Sequence, residues 1–262
     1  MRRMMAIAGI VWLEMLRKKD VYVLFILLAA LLLSMVSLNV LGFGQISGYV
    51  KDLGLLSAWL LGWILTINIS VRLLPQEHTR GTIFSLLAKP VSRREVLVGK
   101  WMGAWSVVCV AVLSFYLATW VVVLLRGGSF DAITLLQAFL LHITALAIVA
   151  AIGVAFSTRL NSDAAATLTY VVTGTTFILL PRIPALLVAE KGVRTTALLA
   201  LYYALPHFEL FDLRQRLVHG WGPSSWVILS RVMLYGTLMT GLFLLLAWLG
   251  YRHRRFSRGD LL

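Results

Sequence analysis

Residues 76–100 combine positive charge with the sequence signals of a helix, a break and a second helix. Pro90 disfavours a helix that continues through it, and Ser92 with Glu95 three residues later forms a capping-box pattern that begins a new helix. The stretch is too polar to cross a membrane, and a simple connector does not need such folding signals. A folded basic elbow predicts a docking surface for a soluble partner, and no nucleophile or metal-ligand cluster accompanies it.

The rest of the chain is dominated by apolar residues. Hydrophobic residues make up 60% of the 262 and charged residues 13%, and the mean hydropathy is +0.88. This composition indicates a polytopic helical membrane protein. The net charge of +13 would suggest nucleic acid as a partner in a soluble protein. In a membrane protein it indicates attraction to anionic headgroups, so we expect membrane lipid and no nucleic acid as a partner.

Six stretches are long enough to cross a bilayer, which takes about 20 apolar residues in a helix. The predicted transmembrane helices are 21–44, 53–74, 101–125, 132–158, 164–189 and 227–250. The predicted fold class is therefore all-α, with one transmembrane domain over residues 1–262. Pro181 and Pro184 bracket Arg182, so the fifth helix should kink or end there.

Lysine and arginine are divided unevenly among the connecting segments. The N-terminus, the 72–100 loop, the 158–163 loop and the C-terminal tail hold 16 of the 24 basic residues. Because cytoplasmic loops are enriched in Lys and Arg, both termini and residues 76–100 are predicted to be cytoplasmic.

Two further segments are predicted to be helical without spanning the membrane. Residues 1–19 carry an apolar stripe at helical spacing, formed by Met4, Ile7, Ala8, Val11 and Met15. This pattern predicts an amphipathic helix in the cytoplasmic interface, with Trp12 at headgroup level. Residues 190–225 mix aromatic and polar residues, so we expect short helices that are half-sunk in the outer leaflet or folded back against the bundle. Structure of either kind there could cap a pathway.

The elbow also carries a spaced pattern, Glu77-x-x-x-Gly81-Thr82-x-x-x-Leu86-Leu87-x-x-Pro90-Val91-Ser92-Arg93-x-x-x-x-x-Gly99-Lys100. Together with the basic N-terminal helix and six spans, this pattern resembles the ABC-2 type transporter permease family. That family includes the permease of the nitrous oxide reductase maturation system and related bacterial exporters. The sequence Ala-Leu-Pro-His-Phe-Glu-Leu-Phe at 204–211 is a weaker similarity. Many relatives carry a second acidic residue in a Glu-x-Glu-x-Gly pattern, where this chain has Glu77 alone.

The resemblance implies the membrane subunit of an ATP-driven exporter in the inner (plasma) membrane of a bacterium or archaeon. In this family the elbow is a coupling region that meets a separate ATPase. The residues expected to take part are Glu77, Gly81, Thr82, Leu86, Pro90, Ser92, Arg93, Arg94, Gly99 and Lys100. For Arg93 and Arg94, contact with lipid phosphate is the alternative. For Glu77, a salt bridge to Arg80 or Lys100 is favoured over a catalytic role.

The chain itself lacks the machinery for ATP hydrolysis. That reaction requires a glycine-rich phosphate loop ending in Gly-Lys-Ser or Gly-Lys-Thr, and Gly99-Lys100 is followed by Trp101. We therefore predict that the chain is not an enzyme and holds no cofactor or metal, with ATP and Mg bound by the partner ATPase. Two ATPase copies and a second permease copy are expected, because ATPase domains of this class work in pairs. A homodimer is favoured over a heterodimer.

Polar residues within the second and fifth spans are candidates for a transport pathway. The residues selected are Asn68, Thr167, Tyr170 and Thr173. Family architecture implies that the first, second and fifth spans approach the second permease around that pathway. The alternative is structural, because Ser and Thr hydroxyls within helices often bond the carbonyl four residues earlier. His142 in the fourth span is predicted to be a satisfied interhelical hydrogen-bond donor.

Two other classes of function compete with this interpretation. An ion-coupled secondary transporter normally carries acidic residues or broken helices at mid-membrane, and no Asp or Glu lies deep in any predicted span. An intramembrane enzyme needs a paired Ser-His, Asp-Asp or His-Glu-x-x-His arrangement, and none is visible. The sequence leaves the substrate open among lipids, peptides, drugs, glycans and maturation factors.

Overall fold

Helices dominate the computed structural model, which describes residues 2–17, 26–27, 29–30, 33–34, 46–75, 92–185 and 193–252. The α-helices are α1 (Arg2–Arg17), α2 (Ile46–Arg72), α3 (Arg93–Leu125), α4 (Ala132–Ser157), α5 (Ser162–Leu179), α6 (Val193–Ala204), α7 (Arg214–His219) and α8 (Trp226–Arg252). Two short 3₁₀ helices, Leu180–Arg182 and Phe208–Phe211, follow α5 and α6. No strand occurs in these ranges, so the predicted all-α class is confirmed.

Five helices of the described chain are long and apolar enough to cross a bilayer. They are Gly48–Arg72, Arg93–Leu125, Ala132–Ser157, Ser162–Ala185 and Trp226–Arg252. These correspond to five of the six predicted spans, and most of the predicted span 21–44 lies outside the described residues. The largest difference in bounds is at the third span, which was predicted to begin at residue 101. Its helix begins at Arg93, so residues 93–100 of the predicted elbow are the first turns of α3.

Side chains just before three of the spanning helices fix where those helices start. Ser92 precedes α3, where its Oγ accepts from the amide of Glu95 at 3.3 Å and the Glu95 carboxylate accepts from the amide of Ser92 at 2.8 Å. This reciprocal pair confirms the predicted capping box. Asp131 and Asn161 cap α4 and α5 through single side-chain oxygens. Each cap satisfies an amide that has no partner within its own helix.

The predicted break in the fifth span is confirmed. The α-helix ends at Leu179, and the chain tightens into the 3₁₀ turn Leu180–Arg182 with Pro181 at its start. Proline has no amide hydrogen to continue the ladder and its ring crowds the preceding turn, so regular α-helical bonding stops there. Arg182 is exposed at this end of the helix.

Helix α4 is the centre of the bundle and contacts α2, α3, α5 and α8. Residues 145–152, which combine four alanines with four larger aliphatic side chains, are buried throughout. Glycines bring its neighbours close: a Cβ added at Gly153 would overlap Ser70 of α2, and one at Gly236 of α8 would lie 2.5 Å from Cγ2 of Thr144. Without a hydrophobic force between helices in lipid, such small residues let van der Waals contacts and short polar contacts hold the bundle together.

Helix α1 buries its predicted apolar stripe against α3. Ile7, Ala8, Val11 and Met15 are all buried, which confirms the helical spacing of the stripe. The partner differs from the expectation, since this face packs on protein and not on lipid. Trp12 was predicted to lie among headgroups, but its indole N–H donates to the hydroxyl of Ser106 at 2.8 Å.

Two glycines of α3 make the approach of α1 possible. A Cβ added at Gly99 would lie 2.9 Å from Cβ of Ile7, and one added at Gly103 would lie 2.7 Å from Cβ of Val11. A step of four residues on one helix matches a step of four on the other, so α1 and α3 run in the same direction across this contact. The Gly-x-x-x-Gly spacing presents a flat strip on which another helix can lie, a recurring device in membrane bundles.

A methyl group at Gly103 should therefore separate the two helices. We expect Gly103→Ala to destabilise the protein by about 1–3 kcal/mol, because Val11 must move to admit the new atom. Gly174→Ala is the matched control in α5: its added Cβ would meet nothing within 4 Å, and alanine favours a helix over glycine by about 1 kcal/mol. Thermal unfolding in detergent should show a lower Tm for Gly103→Ala and an equal or higher Tm for Gly174→Ala. Equal shifts would contradict the close α1–α3 contact.

Candidate functional site

The first turns of α3 lie where several helix ends meet. We call this the basic end of the bundle, the end at which α2 and α8 finish and α3 and α5 begin. Residues 93–103 of α3, here named the hub, contact α1, the chain just after α2, and the last turn of α8. The hub contains four of the ten residues predicted to couple the chain to an ATPase.

Arg93 joins the start of α3 to the end of α8. One guanidinium nitrogen donates to the carbonyls of Tyr251 at 3.1 Å and Arg252 at 2.9 Å. Both carbonyls lie in the last described turn of α8. A cation is also favoured at the negative end of the helix dipole. Arg93 thus bonds the backbone of α8, a contact that neither the ATPase prediction nor the lipid alternative anticipated.

Arg94 also turns toward α8, but it remains exposed. Its guanidinium lies 4.1 Å from the centroid of the Trp248 ring, and the guanidinium of Arg252 lies 5.3 Å from the same ring. Contacts of this kind between a cation and an indole face are electrostatically attractive. Two positive groups therefore share one aromatic side chain at the surface of the basic end.

Lys100 and Gly99, two of the predicted coupling residues, are buried within the chain. Lys100 is 2% exposed, and its ammonium group donates to the carbonyl of Leu73 just beyond α2. Gly99 lies under α1. Within this chain the two residues hold α2 and α1 to α3, so any part that they take in coupling is indirect.

Of the six other predicted coupling residues, one is exposed and five lie outside the described part of the chain. Ser92 is exposed in its cap. The other predicted coupling residues lie outside the described part of the chain: Glu77, Gly81, Thr82, Leu86 and Pro90. The expected partners of Glu77 and the helix before Pro90 stay predictions for the same reason.

Asn68 and Tyr170, two of the predicted pathway residues, come together between α2 and α5. The Asn68 amide donates to the Tyr170 hydroxyl at 3.0 Å and to the carbonyl of Ile64 at 2.8 Å. Tyr170 is 39% exposed, so the pair forms a polar spot on an open face of the described bundle.

The two threonines proposed for the pathway bond their own helix. Thr173 is buried, and its hydroxyl donates to the carbonyl of Thr169 at 2.7 Å. Thr167 is exposed, yet its hydroxyl donates to the carbonyl of Asp163 at 2.9 Å. Both follow the structural alternative of bonding four residues back, and burial removes Thr173 from any surface of this chain.

A group of buried polar side chains occupies the interior of the bundle. His142 stacks on Trp59 with ring centroids 4.6 Å apart and planes 4° apart. Neither ring nitrogen of His142 has a hydrogen-bond partner among the described residues, and the same holds for the Tyr116 hydroxyl and the Trp63 indole N–H. The prediction of a satisfied interhelical donor at His142 was wrong: this side chain is held by aromatic packing.

The segment before α8 folds back onto the bundle at the end opposite the hub. Phe208 and Phe211 are fully buried, and the Phe208 ring meets that of Trp63 edge-on at 5.2 Å. Of the two arrangements expected for residues 190–225, folding back against the bundle is therefore confirmed over 208–219. The Pro-His-Phe-Glu-Leu-Phe part of the weaker sequence similarity supplies these aromatic anchors.

An ion pair that the sequence did not reveal anchors the same segment. Arg214 forms a salt bridge with Asp212 at 2.7 Å, and its guanidinium lies 5.4 Å from the Trp59 ring centroid. Charges this close to an apolar core need a partner. The sequence signal for this ion pair is the Asp-x-Arg spacing directly after Phe211. Many surface turns carry the same spacing, so the signal is weak.

An amide side chain closes the turn that leads into α8. Gln137 of α4 donates to the carbonyl of Ser224 at 2.9 Å, and its oxygen accepts from the amide of Ser224 at 2.8 Å. Gln137 is fully buried, so both its donor and its acceptor are satisfied by one backbone residue. The pair holds the folded-back segment to the central helix.

Comparison with known proteins gives one family. A family model described as "ABC-2 family transporter protein" matches residues 5–261. The matched range runs from α1 past the end of α8, so it includes the hub, the exposed pair Asn68–Tyr170 and the folded-back segment. No curated protein matches the chain significantly.

Loss of the Gln137 amide should release the turn before α8. We expect Gln137→Met to destabilise the protein by about 1–3 kcal/mol, because two hydrogen bonds are lost and the half-buried carbonyl and amide of Ser224 lose their partner. Hydrogen exchange at the Ser224 amide should accelerate. Gln215→Met, at an exposed position of α7, should change neither quantity. Unchanged exchange at Ser224 in Gln137→Met would contradict the proposed role of this side chain.

Proposed function

The chain belongs to the ABC-2 family of transporter proteins, and from that premise we propose that it exports its substrate under the action of a separate ATPase. It is the membrane permease of an ABC transporter. The site of coupling is residues 76–100, and ATP with Mg belongs to the ATPase. The outward direction is supported by the likeness of the elbow pattern to that of bacterial exporters.

The hub is the observation that carries this proposal. If the segment before Ser92 is displaced, that movement is transmitted to α3 at its capped N-terminus. From there it reaches α8 through Arg93, the end of α2 through Lys100, and α1 through Gly99 and Gly103. One rigid helix start can thus convert a push at the elbow into a concerted movement of several helices, as coupling of a soluble motor to a membrane bundle requires.

We place the basic end in the cytoplasm. The segments at this end carry most of the lysine and arginine of the chain, which matches the bias of cytoplasmic loops. Both termini then face the ATPase compartment, and the segment 208–225 lies on the outer side. This fits the inner (plasma) membrane of a bacterium or archaeon.

A second copy of the chain is proposed to complete the membrane unit. The faces of α2 and α5 on either side of the Asn68–Tyr170 pair are apolar and exposed in one copy, including Leu60 and Ile64 of α2 and Val171 and Ile178 of α5. A two-fold interface built from these faces would cover them and bring two polar spots together. We propose that the pathway lies there, lined by Asn68, Thr167 and Tyr170, with one ATPase on each permease.

Coupling should fail when Arg93 no longer donates hydrogen bonds to the carbonyls of α8. Arg93→Gln removes charge-assisted bonds to helix-end carbonyls, a loss of about 1.5–3 kcal/mol. We expect the variant to bind the partner ATPase normally but to lower permease-stimulated ATP turnover at least about tenfold, since about 1.4 kcal/mol corresponds to that factor. Arg159→Gln, an exposed residue at the same end, is the matched control and should behave as wild type.

Pro90→Leu addresses docking in the same assay. Merging the two helices of the elbow should abolish copurification with the ATPase while the apolar spans still insert. Normal turnover in both Arg93→Gln and Pro90→Leu would refute the elbow as the transmission point.

Orientation is tested by single cysteines in a Cys109→Ala background. Ser225→Cys, at an exposed site next to α8, should react with a membrane-impermeant maleimide added to intact cells. Ser92→Cys should react only after the cells are permeabilised. Labelling of Ser92→Cys in intact cells would reverse the proposed topology.

A further inference from the structure

A large open pocket lies between the end of α5 and α6, at the end of the bundle opposite the hub. Its volume is about 700 Å³, which falls within the range of about 300–1,000 Å³ that is usual for small-molecule sites. The last turns of the span Ser162–Ala185 form one wall. Leu198 of α6 and Leu205 just after it form the other wall. The pocket is therefore a concave site with the size of a ligand-binding cavity.

The walls of the pocket are apolar apart from Thr175 and Arg182. Leu180 and Ile183, which belong to the lining, are themselves buried. Arg182 is exposed, and it carries the single charge among the lining residues. Its guanidinium makes no hydrogen bond or ion pair with a described residue, so its donors remain available to a ligand. An apolar wall beside one available cation complements a molecule that joins an anionic group to an apolar body.

The cation and the apolar wall lie at different depths along α5. Arg182 is in the last turn of the span Ser162–Ala185. Thr175 lies seven residues earlier, which is about 10 Å nearer the middle of that span. A cationic side chain at the end of a span reaches the level of lipid headgroups, while the wall below it stays at the level of acyl chains. The pocket thus has the polarity of an amphiphile that stands in a bilayer.

The inner end of the pocket adjoins the face of α5 on which we place the transport pathway. Thr175 is exposed and lines the pocket. It lies one helical turn after Val171 and one turn before Ile178, so these three residues share one face of the helix. Val171 and Ile178 are the exposed residues of α5 assigned above to the interface with a second copy. A molecule that moves along that face from Tyr170 toward the outer side would therefore reach this pocket.

We propose that the pocket binds an anionic amphiphile, with its anionic group at Arg182 and its apolar body against Leu179, Leu198 and Leu205, and that such amphiphiles are the transported substrate class. The assignment of a substrate class rests on the export function proposed above, whereas the binding site does not. Arginine presents several donors in one plane and suits the oxygens of a phosphate or a carboxylate.

Simpler ligands match only part of the pocket. A small inorganic anion would bond Arg182 but leave the apolar walls without a partner. An uncharged hydrocarbon would cover those walls but leave the guanidinium without an anion. An amphiphilic cation would place like charge beside Arg182, which is unfavourable. The anionic amphiphile alone satisfies both the walls and the charge.

Photolabelling of the purified protein in phosphatidylcholine nanodiscs tests the site without the ATPase. The probes are hexadecyl phosphate and hexadecyltrimethylammonium, each with a diazirine in its chain, and labelled peptides are identified by mass spectrometry. We expect hexadecyl phosphate to label the peptides that contain Leu179 and Leu198, and to label them about tenfold more than the cationic probe, the factor expected for one charge-assisted contact. Arg182→Gln should remove that preference for the anion. Thr175→Phe, which fills the inner end of the pocket, should reduce labelling by both probes.

Matched controls separate this pocket from general charge and general apolar surface. Arg231→Gln removes an exposed cation near the start of α8, at the same end of the bundle, and Leu234→Phe enlarges an exposed side chain of α8. Both should be labelled as wild type is. Equal labelling by the anionic and cationic probes in wild type, or an unchanged preference in Arg182→Gln, would overturn the site. Suppression of the labelling by inorganic phosphate alone would assign Arg182 to a free anion and would overturn the amphiphile.

The substrate class is tested separately, in the complex with the ATPase. Unmodified hexadecyl phosphate should stimulate ATP turnover by the wild-type complex, and this stimulation should be lost in Arg182→Gln while turnover without the amphiphile stays unchanged. Turnover that does not respond to hexadecyl phosphate, in a complex whose pocket is labelled, would overturn the substrate class. A chain that recruits no ATPase would instead contradict the proposed function, and the photolabelling result would still decide whether the pocket binds the amphiphile.

Discussion

Two cationic side chains of α3 donate hydrogen bonds to backbone carbonyls just after α2 and in the last described turn of α8. Arg93 donates to the last turn of α8, and Lys100 donates to Leu73 just after α2. A cation is favoured toward the C-terminal end of a helix by the helix dipole. These bonds tie α2 and α8 to α3, so basic residues at this end serve the fold in addition to the orientation that we propose for the chain.

Packing at the two ends of the bundle is of different kinds. At the basic end, cations meet backbone carbonyls and glycines admit α1. At the other end, aromatic rings from the 208–211 turn enter the bundle, and Gln137 pairs with the backbone of Ser224. The buried rings of Trp59 and His142 lie in the aromatic cluster that the folded-back segment joins. A movement that enters at the hub would thus reach the folded-back segment through α4 and α8, the two helices that contact each other most extensively.

Sequence patterns predicted what depends on local chemistry. The capping box at Ser92, the stripe of α1, the break at Pro181 and five spans all rest on residues close in the chain, and all were confirmed. The contacts of Arg93 and Lys100 were not predictable in the same way, because their acceptors are backbone carbonyls, which every residue carries. Arg93 bonds a residue 158 positions away. The unpartnered nitrogens of His142 were missed for a related reason: a histidine in an apolar helix carries no sequence mark that separates stacking on Trp59 from hydrogen bonding.

The bond from Arg93 to the end of α8 also has a consequence for biosynthesis. A chain made from its N-terminus inserts α3 long before α8 exists, and contacts between distant parts of a sequence form late. During that interval Arg93 has none of the carbonyls that it later binds, and the hub is incomplete. The junction at which we place the action of the ATPase would therefore be complete only after α8 has left the ribosome. A chain truncated before α8 would present the start of α3 without this contact, so a complete hub would indicate that α8 has been made.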